Sequence, residues 1–128
     1  MRGINKVILI GNAGKDPEIK SLPDGTPVAK IALATEESFR LKNGEISRRT
    51  DWHTIILWRG LADIAAKFVK KGSLLYVEGK LRNRQYEDKE GLKKFVTEVV
   101  AEQIVLLDKK EKGNLNEDGQ AGEIEEPF

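Results

Sequence analysis

Only one stretch of this 128-residue chain carries a helical apolar period, and that scarcity constrains the fold more than any other feature. Leu61, Ile64, Ala65 and Phe68 recur at i, i+3, i+4 and i+7, lining one face of a helix of about ten residues. Lys70, Lys71 and Gly72 end it. Basic side chains suit the negative end of a helix, and a glycine at the stop can take a left-handed conformation.

The remaining apolar clusters read as strands. Val7, Ile8, Leu9 and Ile10 form a buried run within Asn5 to Asn12, punctuated by Gly11 and Gly14, with a turn at Asp16-Pro17. After a second turn at Leu22-Pro23-Asp24-Gly25, a strand through Val28, Ile31, Leu33 and Thr35 fades into Glu36-Glu37. Ser38 to Arg49 reads as a mobile hairpin loop around Asn43-Gly44. Asp51 to Trp58 is β-branched, aromatic or apolar, as a strand in a closed sheet requires. Beyond the helix, Leu74 to Tyr86 and Lys93 to Leu107 pair through a turn at Asp88 to Gly91, with Gly79 as a bulge or sharp bend. Five strands, one helix between the third and fourth, and long hairpins predict an all-β, five-stranded Greek-key barrel of the OB type. A plain five-stranded α+β sheet stays open at this point.

Apolar periodicity stops after Leu107, so residues 1–107 read as one domain and 108–128 as a flexible tail, with Gly113 to Gly122 disordered. Charge divides at nearly the same place. The chain as a whole is +1, but residues 1–112 hold 22 basic and 16 acidic side chains, while residues 113–128 hold five acids and no Lys or Arg. A cationic body with an anionic end points to a polyanion-binding domain carrying an acidic appendage. The chain has no cysteine, which excludes disulfide, zinc-ribbon, iron–sulfur and thiol chemistry. No apolar run approaches the roughly 20 residues of a membrane helix. Met1-Arg2-Gly3 leads straight into a strand pattern without a signal-peptide core, so a cytoplasmic location is expected.

Five of the aromatics, Phe39, Trp52, Trp58, Tyr86 and Phe95, stand mostly beside basic or polar residues. Arg40, Arg48, Arg49, Arg59, Arg82, Arg84, Lys93 and Lys94 accompany them on loops and strand ends. Exposed rings stack on the π faces of unpaired bases whatever the base, while Lys and Arg hold phosphates. Trp52 and Trp58 also admit a plainer reading, as inner-face residues that fill the barrel.

Several segments carry a specific resemblance. Asn5-Lys6-Val7-Ile8-Leu9-Ile10-Gly11-Asn12, Gly14-Lys15-Asp16-Pro17-Glu18, Leu33-Ala34-Thr35, Trp52-His53, Lys71-Gly72-Ser73, Tyr76 to Arg82 and Thr97-Glu98-Val99-Val100 make the chain resemble the bacterial single-stranded DNA-binding proteins. The match runs from Gly3 to about Val100. The resemblance implies an OB fold, a homotetramer, and single-stranded DNA wrapped on its outside during replication, recombination and repair, in association with the nucleoid. It assigns base stacking to Phe39, Trp52, Trp58 and Tyr86, with a lesser contact from Phe95. Phosphate contacts fall to Arg2, Lys6, Arg82, Arg84 and Lys93, and the loop residues Arg48 and Arg49 join them from their charge and position. Phe39 and Tyr86 stand where Trp is frequent in the family.

His53 is the only histidine. With no cysteine and no ligand-like spacing of carboxylates, neither a metal site nor a cofactor is expected, and the resemblance puts His53 at a subunit contact. No nucleophile elbow or phosphate loop is present, so no catalysis is expected. A metal-dependent nuclease built on Glu36, Glu37 and Asp51 is a reading of another class. An OB-fold replication-restart accessory, or an RNA-binding relative using the same groove, is the nearer alternative.

The last six residues, Glu123, Ile124, Glu125, Glu126, Pro127 and Phe128, combine anions, a stiff proline and a terminal ring. Such a tip can dock in a basic pocket with an apolar floor. It resembles the acidic Pro-Phe tip through which this family recruits replication, recombination and repair proteins, although Glu replaces the usual Asp run.

Overall fold

The computed structural model describes residues 1–108. The tail beyond them, including the expected disordered stretch and the tip at Glu123 to Phe128, lies outside the described residues. Within them run β1 (Val7–Ala13), β2 (Glu18–Ser21), β3 (Pro27–Arg40), β4 (Ile46–Trp58), α1 (Gly60–Phe68), β5 (Leu74–Glu87) and β6 (Lys93–Leu106).

Two pairings close the sheet into a barrel. β1 lies antiparallel to β5 from Val7↔Gly79 to Asn12↔Leu74, then leaves that partner to meet β3 at Asn12↔Ala34 and Ala13↔Leu33. On the far side β4 runs parallel to β6 at Ile55↔Val99 and Ile56↔Val100. With the β3–β4 and β5–β6 hairpins, the ring reads β1–β3–β4–β6–β5 and back to β1. This is the Greek-key OB barrel, and its closure removes the open α+β sheet from consideration.

Strand alternation puts Ala29, Ile31, Leu33, Ile55, Leu57, Leu75 and Val77 inside, all essentially inaccessible to solvent. α1 closes one end with Ala62, Ala65 and Val69 against this core. Its first turn holds Asp63 and its last Lys67, each matched to the helix dipole. The helix stops earlier than expected, at Phe68 with an extended cap residue, Val69, and Gly72 instead takes φ +93° in the following turn that Ser73 closes by donating its N–H to the Lys70 carbonyl at 2.9 Å.

Gly79 is where the strand pair changes register. Glu78 faces Gln103 but Gly79 faces Ala101, so the extra residue, Glu102, belongs to β6. A Cβ on Gly79 would collide with the Val100 carbonyl oxygen, which explains why no larger residue stands there.

Two expectations are corrected. Ser38 to Arg49 is not a mobile loop: β3 and β4 stay paired out to Arg40↔Ile46, leaving only the turn Leu41 to Glu45. Glu37 faces Arg49 across this ribbon, and with both faces in solvent no apolar alternation announces it. β2 was also unforeseen. Its four residues are all exposed, and they pair with the start of β3 from Glu18↔Lys30 to Ser21↔Pro27.

Candidate nucleic-acid interface

On β4 the inward positions Ile55 and Leu57 fix where their neighbours point. Trp52, Thr54, Ile56 and Trp58 share the outward face, opposite Ala34, Ala32, Lys30 and Val28 of β3. Both indoles therefore stand outside the barrel, Trp52 at 62% and Trp58 at 39% exposure, and neither fills the core. Trp52 rests against the β1–β2 turn, where Gly14 donates its N–H to the Ala32 carbonyl at 2.9 Å. A Cβ on Gly14 would sit 2.5 Å from the indole, so glycine is what lets the ring lie close to the backbone.

Across the parallel β4–β6 seam, a concavity of about 390 Å³ opens beside Trp58. Val28, Ile56 and Val100 give it an apolar floor, and Arg82, Asn83, Arg84 and Glu98 form its wall. A second hollow of about 150 Å³ shares Val28, Ile56, Arg84 and Glu98 and extends the trough towards Glu18, Lys20 and Lys30.

The β5–β6 arm supplies the wall. Its register pairs Arg82 with Glu98, Arg84 with Val96 and Tyr86 with Lys94, so Arg82, Arg84 and Tyr86 share one face. Arg84 reaches diagonally to Glu98, donating from Nε and Nη2 to the two carboxylate oxygens at 3.0 Å each. That carboxylate is only 6% exposed. The hydrogen bonds to Glu98, and then its charge, hold the Arg84 pKa above its ordinary value. The Arg84 guanidinium carbon also lies 5.9 Å from the centre of the Tyr86 ring, within cation–π range.

The expected residues thus divide into groups. Trp58, Arg82 and Arg84 line one trough, with Tyr86, 47% exposed, beside Arg84 at its edge. Phe95, 74% exposed, is paired with Gln85 and lies on the opposite face of the arm. On the β3–β4 arm, Arg48 has the strand parity of Trp52, whereas Phe39, Arg49 and His53 have the other. Arg49 approaches Asp51 at 3.4 Å, and half-buried His53 bonds to Thr35 through Nε2 and Oγ1 at 2.9 Å.

Lys93 is exposed opposite Glu87, and Arg2 is exposed ahead of β1. Lys6 is bound to Glu78, which also accepts from the Tyr76 hydroxyl. These bonds raise the pKa values of Lys6 and Tyr76 and lower that of Glu78. Among the described residues no three His, Asp or Glu side chains converge as a metal site would require.

Sequence reasoning missed Glu98, Lys20, Lys30 and the apolar floor of Val28, Ile56 and Val100. The signal for Glu98 was the hairpin register: counting back from the Asp88–Gly91 turn places this acid among the basic residues of β5.

Comparisons with known proteins cover nearly all of the described chain. The model of the single-strand binding protein family matches residues 4–107. Single-stranded DNA-binding protein 1 of Xylella fastidiosa (strain 9a5c) is 44% identical over 115 residues, spanning 89% of this chain and 85% of that protein. A solved structure of the Plasmodium falciparum SSB in complex with ssDNA superposes with a TM-score of 0.76 at 34% identity, covering 84% of this chain and 98% of that one.

Proposed function

The chain belongs to the single-strand binding protein family, and from that premise we propose that it binds and protects single-stranded DNA without regard to sequence during replication, recombination and repair. The observation that carries this reading is the outward placement of Trp52 and Trp58 on a barrel whose trough is walled by Arg82 and Arg84. Rings accept any base, and cations accept the backbone that all bases share. Phe39, Trp52, Trp58 and Tyr86 stack, Phe95 stacks more weakly, and Arg2, Lys6, Arg48, Arg49, Arg82 and Lys93 meet phosphates. No bond is made or broken in this function, so the protein is a binder and not an enzyme.

Residues 1–107 bind DNA and self-associate, as a homotetramer with His53 near a subunit contact. Ile8 and Ile10 on β1 and Val105 on β6 support self-association, because they expose apolar side chains on the outside of the sheet. Residues 108–128 form the tail whose tip, Glu123 to Phe128, recruits replication, recombination and repair proteins. The protein works in the cytoplasm on the nucleoid.

Titration with matched DNA and RNA oligomers, followed by electrophoretic mobility at several salt concentrations, tests the binding claim. Tighter binding to DNA, falling with log salt by about 0.7 per phosphate contact, is expected. Preference for RNA, or a flat salt response, would overturn it. Removing Pro127 and Phe128 is expected to leave DNA affinity intact and abolish partner pull-down. Unchanged recovery of partners would contradict the docking tip.

A further inference from the structure

Arg84 is committed before any strand arrives. Its Nε–H and one Nη2–H are spent on the buried Glu98 carboxylate at 3.0 Å each, an in-plane fork that fixes the orientation of the guanidinium. The pair is electrically neutral, so it adds little to the field that draws phosphates. The Arg84 side chain nevertheless remains about half exposed, in a trough floored by Val28, Ile56 and Val100 with Trp58 beside it. On the same face of β5, two residues along, stands the Tyr86 ring, 5.9 Å from the guanidinium carbon.

We propose that Arg84 is a base-stacking plate and not a phosphate contact, and that Glu98 is the positioning residue that holds the plate in place. The inference rests on the single-strand binding reading and adds a seat for a nucleobase between the indole of Trp58 and the ring of Tyr86. A guanidinium is planar, delocalised and weakly hydrated, so its face stacks on a base as an aromatic ring does. Two donors held in the plane by a carboxylate leave that face open. A lysine ammonium carries the same charge but has no plane. The acid is therefore part of the binding surface for a polyanion, which simple charge counting would assign the opposite effect.

The test compares Arg84→Lys, Arg84→Ala and Glu98→Gln in the full chain, using oligo-dT affinity across a salt series. Arg84→Lys is expected to bind about fivefold or more weakly than the parent with the same salt slope, because a stacking contact is lost and no phosphate contact is removed. Wild-type affinity for Arg84→Lys, with a slope shallower by about 0.7 for Arg84→Ala, would show a phosphate contact and overturn the proposal. Glu98→Gln is expected to weaken binding severalfold although a negative charge has been removed. Tighter binding by this variant would overturn it equally. In the Arg84→Ala background Glu98→Gln is expected to cause no further weakening, since Glu98 acts through Arg84; additive losses would contradict that.

Thermal melting accompanies each variant. Arg84→Lys keeps a cation beside the buried Glu98 carboxylate, so it reads out the plate even if Arg84→Ala or Glu98→Gln unfolds. Failure of the parent protein to bind oligo-dT would defeat the functional reading itself, an outcome distinct from any of these.

Discussion

Two hairpin arms leave the same barrel, yet they are held in different ways. Both end in turns of similar design: Gly44 at φ +89° and Gly91 at φ +82°, each preceded by an Asn or Asp side chain that accepts backbone N–H bonds. Their shafts differ. The β5–β6 arm is tied across its strands by Arg84–Glu98, by the Thr97 hydroxyl on Asn83 at 2.7 Å, and by Lys94–Asp88. Beyond the Thr35–His53 bond at its base, the β3–β4 arm shows only Arg49–Asp51 within one strand, and otherwise depends on its backbone ladder. One arm therefore holds Arg84 and Lys94 in place in the free chain, and the other leaves more of its side chains to be ordered by any strand it would meet. Ordering a long side chain costs about 0.5–1.5 kcal/mol. Equal-looking residues on the two arms should then contribute unequally.

The largest expected effect comes from the rings. Tyr86→Ala and Trp58→Ala should each weaken oligo-dT binding by about tenfold, within the 1–3 kcal/mol per base already established for OB-fold strand binders. Phe39→Ala, on the looser arm, should cost only a few-fold. Equal losses in fluorescence titrations would break the contrast.

The cations come next. Arg82→Ala should lower the salt slope by about 0.7, because no described carboxylate holds Arg82 in an ion pair. Arg49→Ala should lower it less, since Asp51 already shares that guanidinium. A steeper loss from Arg49 would reverse the ranking.

Backbone dynamics sharpen the same point. Amides of Glu36 to Thr50 should exchange with solvent hydrogen faster than those of Arg82 to Glu98, the segment with cross-strand side-chain ties. Indistinguishable protection would mean that the ties do not stiffen the shaft.

The smallest expected effect lies on the β1–β5 face. Bonds from Lys6 and Tyr76 lower the Glu78 pKa in the folded chain below its unfolded value. That contribution is fully present at neutral pH and is lost as pH falls below the ordinary carboxylate range. Glu78→Gln should slightly reduce stability at pH 7 and flatten its acid dependence, as followed by urea denaturation at each pH. An unchanged acid limb would exclude this network as a source of pH sensitivity.

What could be read from residues alone follows the presence of a one-sided core. Leu61 to Phe68 and the runs around Val7, Val28, Ile55 and Leu75 bury one face, so their periods survive in the sequence. The β3–β4 arm and β2 bury neither face; polar residues on both sides erase the alternation, and strand looked like loop. The bulge at Gly79 was visible as a misplaced glycine, but its extra residue, Glu102, lies on the partner strand where no glycine marks it.

The rings and most of the cations of the candidate site were legible because they interrupt the expected polarity. Glu98 was not. As a lone acid in a strand it resembles a solvated one, and only the diagonal reach of Arg84 past the directly paired Arg82 shows why it is buried.

The claim beneath all of this is that the outward indoles of a closed barrel touch unpaired DNA directly. The most direct measurement is tryptophan emission from the single-indole variants Trp52→Phe and Trp58→Phe during titration with poly(dT) at low ionic strength. Saturable quenching of both, at one shared stoichiometry, is the expected result. Emission that stays constant in both while mobility shifts show DNA bound would contradict the account.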